Sequence, residues 1–418
     1  MLNVPLFLLF LFPRSVLAAE PTKESESAPA DSATPVDLER ATLDAPPPAV
    51  AGPCGEVRHD GGDGSCAPLG DCVEGFLPDE SGTCVVAWSP SGSLFVGRSG
   101  QRAILLADGR PLMIGGENGW QLSLPSSEVF DVGVGAWHPS SNMGWSRRNH
   151  TATLLGDGRV LVTGGVDSLY IRLPSAELYD PNAEHWTKTA AMFTPRAGHA
   201  AALLSGGQVL LTGGTTSDQN ATARTEIYLP KKGIFKKANP MLSARSGHTA
   251  TALPDGRVLV VGGQGLDNEP LQSAEAYVPD VDVWIPVPPP PNDRTQHVAV
   301  ALPDGRVLLV GGYDADGPSR TADFFLPDDW HWTTVSLPVA AAYDTATTLP
   351  DGRVVVAGGG ASILAYDPTA DTWTTLLSLP EARTDGGLVA LADGRLLLAG
   401  GTGPDAAPRD TTLVFRWR

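Results

Sequence analysis

The chain has 418 residues and a formal net charge of −18, from 47 Asp and Glu against 29 Lys and Arg. Nucleic acid is therefore excluded as an expected partner, because a phosphate backbone rewards cationic surfaces. The one basic concentration, Lys231, Lys232, Lys236 and Lys237, reads as a solvated turn and strand edge.

Residues 2–12 are almost wholly apolar, and small residues at Val16 and Ala18 suit cleavage before Ala19 or Glu20. This predicts a signal peptide over 1–19 and a secreted, periplasmic or cell-surface protein. Arg14 follows the apolar run instead of preceding it. An uncleaved anchor is the alternative, although the run is short for a hydrocarbon layer of about 30 Å. No other segment has transmembrane length, so no integral membrane segment is expected after signal removal. Residues 20–52 are Ala, Pro, Ser, Glu and Asp with few large apolar side chains. They read as a disordered tether, since such a composition buries too little surface to offset chain entropy.

All four cysteines fall within 53–84. Cys54 to Cys66 and Cys72 to Cys84 each enclose eleven residues, as two copies of one small module would. An even count in an exported chain implies disulfides. Three connectivities are possible, and the internal repeat favours Cys54 with Cys66 and Cys72 with Cys84. Zinc, with His59 nearby, is the alternative, but structural zinc sites normally pair cysteines two to four residues apart.

From residue 85 the chain is periodic. Gly-Gly doublets begin at Gly115, Gly164, Gly213, Gly262, Gly311, Gly358 and Gly400, at intervals of 49, 49, 49, 49, 47 and 42 residues. Before each doublet, two short apolar runs flank Asp-Gly, or Gly206-Gly207 in the third unit. The pair predicts a hairpin with a type I′ turn, in which both central residues need positive φ. After each doublet come a variable stretch, a third strand with an aromatic, and a fourth strand with a second aromatic seven positions on. The pairs are Phe130 and Trp137, Tyr179 and Trp186, Tyr228 and Phe235, Tyr277 and Trp284, Phe325 and Trp332, and Tyr366 and Trp373. The doublets lack the Lys-Ser/Thr or GxGxxG context of a phosphate loop and read as bulges or close backbone approaches.

These units, as in 248–263 followed by Glu275, Tyr277 and Trp284, resemble kelch repeats over residues 85–418. The resemblance and the period imply an all-β fold, a seven-bladed propeller. The last unit has a third strand but no room for a fourth. Trp88 lies 13 residues before Gln101, the gap that separates Trp137 from His150. Residues 85–88 are therefore expected to be the outer strand of the seventh blade, donated from the N-terminal side, which leaves only short protected edges. Six blades with a spare unit is the alternative.

Four histidines, His150, His199, His248 and His297, recur with the period, each three residues after Arg147, Arg196, Arg245 or Arg294. Arg98 and Arg383 hold the arginine position without a histidine. A metal ring would need ligands converging to about 2 Å, whereas equivalent sites on stacked blades stand roughly 10 Å apart. Repeat-encoded hydrogen bonding is expected instead. Glu128, Glu177, Glu226, Glu275 and Asp323 recur two residues before the third-strand aromatic and are expected to pair with the arginines. Galactose oxidase has a kelch-like propeller, but its copper chemistry needs a cysteine cross-linked to tyrosine, and residues 85–418 contain no cysteine. No catalytic residue, metal or cofactor is assigned.

The long connections, 117–126, 166–175, 215–225, 264–273 and 313–321, should gather on the face opposite the tight turns. Binding residues concentrate in such loops. The candidates are Trp120, Tyr170, Arg172, Asp218, Asn220, Asp267, Asn268, Tyr313 and Asp314, with Trp145 from a fourth-to-first connection. The expected function is an exported, monomeric, non-catalytic propeller that recognises a protein or glycan through this face. The alternative is a sugar-processing enzyme, mutarotase- or lyase-like, which an asymmetric acid, base and arginine cluster in the central mouth would support. A third reading makes the tether and cysteine module an envelope attachment.

Overall fold

The computed structural model describes residues 76–78, 84–86, 88–314, 316–376 and 378–416. The expected signal peptide, the tether and the cysteine pairings lie outside them. Repeated alternation of apolar runs and turns yields seven four-stranded antiparallel sheets, with no helix among the described residues. The second blade shows the pattern: Thr151–Leu154, Val160–Thr163, Ala176–Asp180 and His185–Lys188, in sequence order from inside to outside. The first strand of each blade neighbours the first strands on either side, and the seventh blade's neighbours the first blade's, so the ring closes.

Burial follows position in the blade. Second strands such as Val209–Thr212 and Val258–Val261 are buried at every residue, which explains their unbroken apolar sequences. Fourth strands such as His185–Lys188 bury only the tryptophan. The core is divided into seven clusters, each shared between neighbouring blades. One joins Leu112, Ile114 and Val129 of the first blade to Val160, Val162, Tyr179 and Trp186 of the second. All six expected aromatic pairs stand in register, with ring centroids 4.9–5.1 Å apart. Trp186 also donates from Nε1 to Ser127 Oγ of the preceding blade at 2.9 Å.

The seventh blade combines Gly387–Ala390, Arg395–Ala399 and Thr412–Arg416 with Trp88–Ser91 from the N-terminal side. Its outer strand is displaced from the expected 85–88. Pairing Trp88 opposite Phe415 fixes the register, and the strand continues to Ser91. Val85 instead pairs with Leu77 in a separate hairpin of Phe76–Pro78 and Cys84–Val86.

The tight turns also differ from expectation. Only their glycines are left-handed, for example Gly109 at φ 85° and Gly158 at φ 86°. Gly109 N–H bonds Leu106 O at 2.9 Å, and Asp108 Oδ1 accepts from Arg110 N. This is the three-residue hairpin that ends in a left-handed glycine, not type I′. The Asp serves as a cap and ion-pair partner for the arginine two residues later, as in Asp157 with Arg159 at 2.7 Å. The doublets are the close approaches anticipated: a Cβ on Gly164 would come 2.5 Å from Arg196 O of the next blade.

Candidate functional site

The recurring arginines and acids form buried ion pairs that shape the loop-rich face. Arg147 bonds Glu177 at 2.6 Å, Arg196 Glu226 at 2.8 Å, Arg245 Glu275 at 2.8 Å and Arg294 Asp323 at 2.6 Å, and Arg98 pairs with Glu128. Burial lowers the pKa of each arginine and the partnering carboxylate opposes it. Arg196 Nη1 also donates to Gly213 O and Arg224 O. The carboxylates have a second task. Glu128 accepts from Phe95 N, Glu177 from Gly144 N, Glu226 from Phe193 N and Glu275 from Leu242 N, at 2.6–2.8 Å. Each pinned fourth-to-first connection turns a large apolar side chain outward: Phe95, Trp145, Phe193 and Leu242 are all exposed.

The histidines tie neighbouring blades. His199 Nε2 lies 2.9 Å from Thr163 Oγ1 of the preceding blade, His248 Nε2 2.8 Å from Thr212 Oγ1, and His297 Nε2 2.9 Å from Thr249 Oγ1. Ile114 holds the repeat position of Thr163 and Thr212 in the first blade, and neither ring nitrogen of His150 has a partner among the described residues. Burial, with nearby arginines, lowers all four pKa values, that of His297 to about 3, so the rings are neutral. Among the described residues no group of three or more His, Cys, Asp or Glu could hold a metal ion.

Each long second-to-third connection is a compact hairpin capped by an Asx side chain. Asp218 Oδ1 accepts from Asn220 N, Asp267 Oδ1 from Glu269 N and Asp314 Oδ1 from Asp316 N. These three candidates thus hold their own loops. Asn220 returns its carbonyl to Thr216 N, and Asn268 sits at the left-handed tip. Tyr313 lies in a two-residue ribbon opposite Pro318, half exposed. Arg172 donates to Tyr170 O at 3.2 Å.

The first two blades differ from the rest. Asn118 and Asp167 cap their loops so that Trp120, Leu122, Leu169, Tyr170 and Ile171 all face solvent, Trp120 at 83% and Leu169 at 76% exposure. Arg148 joins the loops: it donates to Gln121 O and Ser123 Oγ at 3.2 Å, pairs with Glu117, and lies 4.7 Å from the centre of the Tyr170 ring. Ser123 Oγ donates to Val166 O and Ser168 Oγ to Ser123 O. The two hairpins that carry the exposed apolar residues are therefore braced to each other, with Trp145 on the connection between the two blades. By contrast the third blade's loop, 215–220, carries only Thr, Ser, Asp, Gln and Asn.

The kelch motif matches residues 147–192 and 244–291, which span the second and fourth blades. Seven sheets of this repeat close one ring. The described residues form a seven-bladed β-propeller that carries kelch motifs in its second and fourth blades. No curated protein matches it. Among solved structures, this kelch propeller is similar to a fungal alcohol oxidase of the AA5 family in complex with copper, at TM-score 0.63 and 18% identity, over 79% of this chain and 76% of that one. That likeness establishes the fold, and fold alone does not carry chemistry. Residues 85–418 contain no cysteine to supply the cysteine–tyrosine cross-link expected of galactose oxidase.

Sequence reasoning passed over the residues that break the kelch repeat. Arg148, Leu122, Leu169 and Ile171 build the braced surface beside Trp120 and Tyr170. Arg102, Asp344 and Asp385 stand at the inner mouth, in repeat positions held elsewhere by Thr151, by His248 and by Gly247. The signal was the departure of one unit from its column, not recurrence. Of the lysines, Lys237 has a contact of its own, 5.1 Å from the Phe193 ring centre. No helix among the described residues is long and apolar enough to cross a membrane.

Proposed function

We propose that this propeller is a non-catalytic protein-recognition module whose main contact is the braced surface of the first two blades. One observation carries the reading: Trp120, Leu122, Leu169, Tyr170 and Ile171 are exposed together on two hairpins that Arg148 fastens to each other. Large apolar side chains at the surface normally cost solubility, and a contiguous exposed group of them marks an interaction site. Aromatic anchors presented on a rigid base lose little entropy on binding, which suits them to be interface hot spots. The proposal keeps the extracytoplasmic setting expected from residues 1–84.

The test compares the wild-type chain with W120S/L169S/Y170S, immobilised side by side against envelope and secreted proteins, followed by titration of each retained protein in purified form. A partner that binds the wild type saturably and the triple variant at least tenfold more weakly supports the reading; tenfold corresponds to about 1.4 kcal/mol, less than one hot-spot side chain typically supplies. Equal retention by both, or retention of glycans alone, overturns it.

A further inference from the structure

The inner mouth on the loop-rich face is built from the residue just before each histidine position. Gly100, Asn149, Gly198, Gly247, Gln296 and Asp385 occupy it in left-handed conformation, at φ 53–63°. They chain around the axis: Gly198 N bonds Asn149 O, Gly247 N bonds Gly198 O, Gln296 N bonds Gly247 O, each at 2.9 Å, and Gly100 N bonds Asp385 O at 3.2 Å. In the sixth blade Tyr343 is buried instead, and Asp344 Oδ2 accepts the Asp385 N–H at 2.7 Å. A left-handed backbone is cheap for glycine and costs most other residues roughly 1 kcal/mol or more. At Asn149, Gln296 and Asp385 that cost places a polar side chain at the mouth, and all three are exposed.

Arg102 borders this ring. It heads the first blade's inner strand, where the other blades have Thr151, Ala200, Thr249, Val298, Thr345 and Gly387. Its Nε donates to His150 O at 2.9 Å. Its charge acts on His150 and His199 of the second and third blades and on Asp344 and Asp385 at the sixth and seventh. Water reaches the side chain, yet protein encircles it, and that crowding lowers its pKa despite the two carboxyls. Among the described residues its terminal nitrogens make no hydrogen bond and no ion pair.

We infer that the inner mouth is a binding site for a neutral sugar or polyol, held between the Arg102 guanidinium, the Asp385 carboxylate and the Asn149 and Gln296 amides. The charge arithmetic favours a neutral ligand. Asp344 is pushed up to about 8 by burial and by Asp385, so near neutral pH it holds its proton, while burial raises Asp385 too and the Arg102 charge opposes that rise. The hydrogen-bond arithmetic favours hydroxyls. Arg102 only donates, Asp385 only accepts and the amides do both. A hydroxyl donates and accepts at once, so adjacent hydroxyls can bridge these groups where a carboxylate or an ammonium satisfies one side alone. The inference is independent of the protein-recognition reading, because none of these residues belongs to the braced surface.

The experiment is saturation-transfer NMR followed by calorimetric titration of the full chain with glucose, mannose, N-acetylglucosamine and myo-inositol, with acetate and ethylammonium as charged controls. At least one neutral compound should bind saturably, with R102Q and D385N each weakening it tenfold or more, about the loss of one charged hydrogen bond. W120S should leave that affinity unchanged. Thermal unfolding of R102Q and D385N checks that the ring is intact, and N149A provides a further variant should either fail to fold. Failure of every neutral compound to bind at about 10 mM, a level that detects even millimolar affinity, overturns the inference. So does binding confined to the charged controls, or binding that R102Q, D385N and N149A leave unaltered.

Discussion

Blades two to five and the sector formed by blades six and seven solve one packing problem differently. In the former, a neutral histidine heads every inner strand; in the latter the same position holds Asp344 and then Gly386. The difference reverses the proton linkage. A histidine whose folded pKa is depressed leaves the unfolded chain to take up protons first, so stability falls as pH drops below 6.5, down to about 3 for His297. Asp344 is the opposite case: its folded value is raised from 3.8 to about 8, so its contribution is complete below 3.8 and is lost as pH rises toward 8.

The largest expected effect follows from that contrast. Each buried histidine contributes about 1.4 kcal/mol per pH unit once the unfolded chain is protonated and the folded ring is not. Four of them outweigh one aspartate where the two trends oppose, so acidification below pH 6 should unfold the propeller at several kcal/mol less denaturant work. Urea midpoints at pH 7, 6 and 5 measure it, and H248Q should remove one proton from the slope. A midpoint flat from pH 7 to 5 would break the comparison. D344N should flatten the residual decline between pH 7 and 8.

The arginine positions sharpen it further. Arg196 is fully buried against Glu226, whereas Arg383 in the seventh blade bonds Gly400 O and Thr411 and has no carboxylate within ion-pair distance among the described residues. R196M should cost about 3–5 kcal/mol, since it strands a buried carboxylate. R383M should cost about 1–3 kcal/mol, the loss of hydrogen bonds onto neutral acceptors. Equal costs in urea titration would mean that the stranded charge is not the source.

What the sequence made legible was whatever recurs. Seven blades, their strand order, six aromatic pairs and the arginine–acid pairing follow from periodicity, because every unit faces the same packing problem with the same residues. The outer strand slipped by three residues because its bounds depend on the Trp88 and Phe415 contact, which one aromatic spacing cannot fix. The turns differ from expectation because Asp-Gly suits both a two-residue type I′ loop and the end of a three-residue loop in which only the glycine is left-handed. Of the loop residues proposed for binding, Asp218, Asp267 and Asp314 cap their own hairpins, a local role that residue type could not separate from ligand contact. Arg102 and Asp344 carry no periodic signal because each appears once at its repeat position.

Two glycines of one blade separate conformation from proximity. Gly158 and Gly164 are both left-handed, at φ 86° and 61°, but a Cβ on Gly158 meets nothing within 4 Å while one on Gly164 meets Arg196 O. G158A should cost about 1 kcal/mol for conformation alone. G164A should cost roughly 2–3 kcal/mol, because the carbonyl it displaces belongs to the next blade. Thermal unfolding of the pair decides whether the doublets set the spacing between blades.

The smallest effect concerns the threonines that receive three of the four histidines. Thr212 Oγ1 is the partner of His248 Nε2 at 2.8 Å, and Ile114 at the matching position leaves His150 with none. The chain thus already contains the state that T212V would create, in a blade with its own intact inter-blade cluster. T212V keeps the shape and removes the hydroxyl, so it should cost about 1 kcal/mol, the net worth of one buried hydrogen bond. I114T tests the converse: it gives His150 a partner while losing some apolar burial, so the two terms should nearly cancel. If T212V is silent in urea titration, the histidines are spacers and cohesion between blades rests on the apolar clusters and the other inter-blade hydrogen bonds. If it costs the expected amount while I114T is neutral, the hydrogen bond contributes to cohesion in blades two to five, and the first blade manages without it because Ile114 buries more apolar surface than a threonine.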